Sequence, residues 1–137
     1  MKINKCVILM GVVCSLLLLS ACATTAGKQN RIEERAMERW QVLLSGDFAG
    51  AYEYLSPGFR SSVSSVQYQR TQLLKRIQWT SADYIESDCE ETVCNVKISL
   101  GFVIRGGLPG VKSFEDTQFV EESWILVDGV WYFVPEQ

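Results

Sequence analysis

The chain has 137 residues, with 13 Lys+Arg against 16 Asp+Glu and no His. That length fits one domain, and 47% apolar to 21% charged residues is enough to bury a core, while the acidic balance lacks the clustered cations of a nucleic-acid footprint. The absence of His excludes Ser-His-Asp and Cys-His chemistry and removes the commonest transition-metal ligand.

Lys2 and Lys5 open the chain and are followed by an apolar run from Cys6 to Leu19. The run is shorter than the ~20 residues of a membrane-crossing helix and suits a signal-peptide h-region. It ends in Leu19-Ser20-Ala21-Cys22, which resembles the lipobox of bacterial lipoproteins. The resemblance implies cleavage before Cys22, which becomes the lipidated N-terminus with a thioether-linked diacylglycerol and often an N-acyl chain. More than one chain gives stable anchoring. The alternative is an ordinary secretory signal cut after Ala23; leader, h-region and box together favour the lipoprotein. Cutting residues 1–21 from the 137 leaves 116, and losing two lysines takes the formal charge from −3 to −5. Ala23 follows the cysteine, and in Gram-negative sorting a residue other than Asp there implies an outer-membrane protein facing the periplasm. Residues 22–30 then form a lipidated tether whose eight residues after Cys22 reach at most ~28 Å when extended, and residues 31–137 form the domain.

Asn30 is placed to cap a helix, with Glu33 three residues on. Ile32, Ala36, Trp40, Leu43 and Leu44 fall on one face, and Gly46 ends the helix. Asp47 caps a short second helix over 48–55, which buries Phe48, Ala51, Tyr52 and Leu55 before Ser56-Pro57-Gly58 breaks it. A third segment, roughly 65–77, places Val66, Leu73, Leu74 and Ile77 inward.

From Trp79 the period becomes two. Val96, Ile98, Leu100, Phe102 and Ile104 alternate with Asn95, Lys97, Ser99 and Gly101, which predicts a half-buried strand paired with 79–88. Cys89 and Cys94 are predicted to form a disulfide across the hairpin mouth, as an oxidising compartment allows. In that register Asp83 points at the apolar face, unless a bulge turns Tyr84 there instead. The Gly-rich segment 105–112 reads as a hairpin loop, because its spacing is not one that cradles phosphate. Residues 113–127 form a long strand, Asp128-Gly129 is a type I′ turn signal, and 130–134 returns. That last hairpin is apolar on both faces, which places it centrally or under helices or a partner. Glu90-Glu91 and Glu121-Glu122 read as solvated, with Arg60, Arg70 or Arg105 as the cations a hairpin carboxylate would meet. The acidic pairs are too few for a calcium site, and no metal or cofactor is expected.

Two segments, Arg39-Trp40 through Gly46-Asp47-Phe48 to Leu55-Ser56-Pro57, and the Trp-x₄-Gly-x-Trp-Tyr hairpin Trp124–Tyr132, resemble the nuclear transport factor 2-like superfamily. The resemblance implies an α+β cone, N-terminal helices packed on a curved antiparallel sheet, enclosing a pocket, and it makes a homodimer through the sheet an open alternative. It carries over no catalytic residue. The first reading of function is a lipid-anchored envelope domain that binds a protein partner or small apolar ligand without catalysis. Tyr54, Phe59 and Arg60 are candidate pocket residues, and Phe119, Trp124 and Tyr132 a candidate outer-sheet surface. The second is a small isomerase or dehydratase, with Asp83 as base and Tyr52 or Tyr84 as oxyanion donor. The third is an accessory part of a secretion or envelope-assembly machine.

Overall fold

Helix α1 (Ser20–Leu44) turns Ile32, Ala36, Trp40 and Leu43 inward at spacings of three and four. The computed structural model describes residues 20–108 and 110–136, with side chains from residue 31 on, those of 107, 108 and 111 excepted. The leader read at residues 1–19 lies outside the described residues, as does the side chain of Cys22. The helix starts well before Asn30, which is therefore not its cap. The stretch 23–30 contains no proline and continues the helix, so the segment read as a tether spans ~12 Å over eight residues, less than its maximal reach of ~28 Å. Residues Ile32–Gln137 form one compact unit.

Asp47 caps α2 (Phe48–Tyr52), its carboxylate accepting from the Gly50 N–H at 2.8 Å. Ser56-Pro57-Gly58 does more than break that helix. Ser56 caps a further one, α3 (Pro57–Ser62), with Pro57 in its first turn, where the missing N–H costs nothing. Ser64 and Gln67 form a capping box on α4 (Ser65–Leu73). The inward face of α4 differs from the expectation. Val66, Leu73 and Leu74 are 75%, 72% and 74% exposed and Ile77 sits at the margin, while Tyr68 is buried instead. The Tyr68 ring packs against Tyr52, with centroids 5.9 Å apart, and one aromatic ring offers more area to bury than any of the aliphatic side chains it displaces.

Four strands follow: β1 (Ile77–Cys89), β2 (Val93–Leu108), β3 (Val111–Val127) and β4 (Val130–Val134). They form one antiparallel sheet in the order β1-β2-β3-β4. The α+β class expected from the sequence is thus what the chain adopts. Cys89 and Cys94 pair directly across β1 and β2 and are disulfide-bonded. Two register shifts interrupt β1, leaving Thr80 and Ile85 as extra residues. The second realises the bulged register, with Tyr84 opposite Ile98 on the core face and Asp83 opposite Ser99. At the first, a Cβ on Gly101 would come within 3 Å of the Thr80 and Ser81 side chains, so the bulge requires glycine there. Beyond Gly101 the inward positions loosen: Val103 is buried, while Phe102 and Ile104 are half-buried. The segment 105–112 is a hairpin as expected, with Leu108 opposite Val111. Asp128 and Gly129 both take positive φ, 50° and 79°, as a type I′ turn needs.

The core lies between α1 and one sheet face: Cys94, Val96, Ile98 and Leu100 from β2, Trp124 from β3, Trp131 from β4, with Ala51, Leu55 and Tyr68. The β3–β4 hairpin is not central, because β4 is an edge. Residues 54–56 cover that edge through a bridge between Leu55 and Phe133.

Candidate functional site

Alternation along β3 puts Gln118, Val120, Glu122 and Trp124 on the core face, opposite Leu100, Ile98, Val96 and Cys94. Glu122 is therefore carried inside, at 5% exposure, by its place between Val120 and Trp124. This corrects the solvated reading of Glu121-Glu122 for its second member. Its cation is Arg39, not Arg60, Arg70 or Arg105. Arg39 Nη1 lies 2.7 Å from Glu122 Oε1, Trp40 Nε1 donates to the same oxygen at 3.0 Å, and Trp124 Nε1 donates to Oε2 at 3.1 Å. The Arg39 guanidinium also lies 3.9 Å over the Phe133 ring. A buried carboxylate and a buried guanidinium thus neutralise each other inside an aromatic frame.

Beside this pair opens a cleft of about 520 Å³, bordered by α1, by α4 and the residues just after it, and by the sheet. Trp40, Leu43, Trp79, Leu100, Val120 and Phe133 supply its apolar lining, and Arg39, Glu122, Tyr68 and Lys75 its polar groups. The size falls in the usual range for small-molecule sites, ~300–1,000 Å³. Two donors on its wall are buried without a hydrogen-bond acceptor: Arg39 Nε and Tyr68 Oη. Burial raises the Tyr68 pKa above 10.0, and the nearby Arg39, through its charge and then through close approach of its side chain to the phenol oxygen, offsets only part of that rise. Lys75 follows α4. Much of it is exposed, yet partial burial at the cleft, and then the Arg39 charge, lower its pKa from 10.5.

The residues expected to carry chemistry do not meet. Asp83 is exposed on the sheet face away from the core. Tyr52 Oη donates to the carbonyls of Val63 at 2.7 Å and Arg60 at 3.3 Å, fastening α2 to the end of α3. Tyr84 Oη donates to Ser87 Oγ at 2.9 Å. None of the six expected pocket or surface residues borders the cleft. Tyr54 lies under the Arg35 guanidinium at 4.0 Å, and Phe59 packs against the core. Arg60 pairs with Glu53 at 2.8 Å and sits 5.7 Å over the Tyr132 ring. Phe119 is an exposed outer-face residue, 67% accessible, with Lys97 Nζ 5.9 Å over its ring. Trp124 is fully buried, which corrects its assignment to the outer surface. Among the described residues no three His, Cys, Asp or Glu side chains gather as a metal site, and no helix is long and apolar enough to cross a membrane.

The polar residues of the cleft were missed because charge was read as solvation. Both signals were present. Arg39 lies three residues after Ala36, within the buried stripe of α1, and Glu122 keeps phase with Val120 and Trp124.

No protein-family model matches the chain, and no curated protein aligns with it. Among solved structures it is similar to the solution structure of a SEC-C motif containing protein from Rhodopseudomonas palustris. The two are 16% identical, with a TM-score of 0.54 over 71% of this chain and 70% of the other. At that identity the likeness concerns the fold alone.

Proposed function

We propose that this chain is a lipid-anchored binding domain of the bacterial cell envelope, built as a nuclear transport factor 2-like cone, with the Arg39–Glu122 cleft as its ligand site. The state of Glu122 carries the reading. A general base must hand a lone pair to its substrate's proton, whereas three of the roughly four acceptor sites of this carboxylate are taken by Arg39, Trp40 and Trp124. Asp83, the carboxylate on which an isomerase mechanism would rest, is in solvent. The cleft is therefore equipped to hold a molecule rather than to take its proton. The envelope location is supported by the basic leader, the apolar run and the box ending at Cys22, and by the Cys89–Cys94 disulfide, which suits an oxidising compartment.

Two measurements test this. Cys22→Ala is expected to abolish labelling by radioactive palmitate and to release the protein from the membrane fraction; retained label refutes the anchor. Native mass spectrometry of protein extracted from membranes is expected to show a bound small molecule, lost in Val120→Trp, which fills the cleft. Equal masses for the two beyond the substitution itself count against a ligand site there.

A further inference from the structure

We infer that the cleft takes a monoanionic amphiphile, a carboxylate or comparable small oxyanion on an apolar body. Its head accepts from Tyr68 Oη, Arg39 Nε and Lys75 Nζ, and its body lies on Trp40, Trp79 and Leu43. The inference deepens the proposed function and rests on the cleft being a binding site.

Tyr68 and Arg39 are 6% and 5% exposed, both border the cleft, and each holds a donor with no acceptor. A buried donor left unmade carries its desolvation cost uncompensated. The nearest carboxylate does not relieve them, because Glu122 is committed to three other donors. An incoming acceptor gains from both at once, and charge-assisted bonds to a guanidinium are the stronger kind. Tyr68 stays a phenol, hence a donor, across the neutral range, because burial pushes its pKa up.

Charge selects among acceptors. Arg39 and Glu122 cancel. Lys75 has no ion-pair partner among the described residues and borders the same cleft, which leaves one unpaired positive charge at its partly exposed rim. Glu121 and Glu136 also border the cleft at exposed positions; Lys75 is exposed too, and what sets it apart is its partial desolvation beside Arg39. A cationic head would face Lys75 and two donors with nothing to give, and a neutral alcohol would leave Lys75 unmatched. The apolar lining sets the rest of the molecule, since Trp40 and Trp79 present a T-shaped aromatic corner with centroids 5.7 Å apart, a surface suited to a ring or short chain.

The test uses the full chain in zwitterionic vesicles, with chain-free vesicles as the blank and tryptophan emission as the signal. The probes are 4-phenylbutyrate, 4-phenylbutanol and 4-phenylbutylamine, which share one body and differ in head. Phenylbutyrate is expected to bind at least tenfold more tightly than either of the others. Tyr68→Phe and Lys75→Met should each weaken phenylbutyrate by three- to tenfold; Lys75→Met should leave phenylbutanol unchanged, while Tyr68→Phe should weaken it too, because a hydroxyl oxygen also accepts from the phenol. Both substitutions keep the side-chain body, and circular dichroism verifies the fold. If the alcohol or the amine binds as tightly as the acid, or if neither substitution affects the acid, the anionic assignment is overturned while the cleft remains a binding site. If no probe changes the emission of a folded chain, the binding-site reading fails, and this inference with it.

Discussion

Glu122 and Arg39 are the residues on which the core's polarity turns. A buried ion pair adds little net stability over an apolar pair, but removing one partner strands the other charge. Glu122→Ala is therefore expected to destabilise the fold by about 3–5 kcal/mol, because it also leaves Trp40 and Trp124 with unpaired N–H groups. Adding Arg39→Met to Glu122→Ala should recover part of that loss. Urea unfolding of the four corners of the cycle measures the coupling. Tyr68 gives a pH signature. Its folded pKa lies above the unfolded 10.0, so above pH ~10 the unfolded chain loses a proton that the folded chain keeps. Stability should fall as pH rises past that point, and Tyr68→Phe should flatten the fall. Thermal melts between pH 8.5 and 11 read it.

At the scale of elements, α4 and the strands show opposite relations between pattern and packing. The strands are legible because period two leaves few choices: Val96, Ile98 and Leu100 must share a face, and Asp128-Gly129 must turn. The Asp47 cap is legible for a similar reason, since it satisfies an N–H group that nothing else reaches, whereas Asn30 lies within a helix that begins earlier. Helix α4 was misread because Val66, Leu73 and Leu74 line up as a plausible apolar stripe. Its orientation depends on a long-range partner, Tyr52, which no local pattern contains. The stripe is in solvent, so Leu73→Glu with Leu74→Glu should change the unfolding free energy by no more than about 0.5 kcal/mol each, as surface changes do. A loss of several kcal/mol in denaturant titration would show these leucines to be core after all.

For the whole molecule, the α+β class and its order of helices before sheet follow from the change of hydrophobic period near Trp79. The cleft does not follow so readily. It is made where α1, α4 and β3 meet, and its polar residues come from positions 39, 68, 75 and 122, far apart in the chain. Each of the buried ones occupies a core position that a hydrophobic pattern reserves for apolar side chains. Only the register of β2 and β3 and the packing of α1 reveal that Arg39 and Glu122 occupy such positions together. The expected catalytic group failed for a related reason. A single bulge at Ile85 moves Asp83 to the opposite face, and a bulge leaves little trace in composition.

The bridge between Leu55 and Phe133 has a consequence for self-association. The Phe133 N–H donates to the Tyr54 carbonyl and the Ser56 N–H to the Phe133 carbonyl, both at 2.8 Å. The backbone groups that β4 would otherwise offer to a foreign strand are already engaged there. At the far side of the sheet β1 is the other edge, and its extra residues at Thr80 and Ile85 break the ladder into short pieces. Neither border is a continuous template for strand addition, the route by which exposed sheets propagate into aggregates. Where copies of the domain meet at high local concentration, that layout disfavours strand-by-strand polymerisation of the sheet. Whatever meets this domain must recognise its side chains, not its backbone.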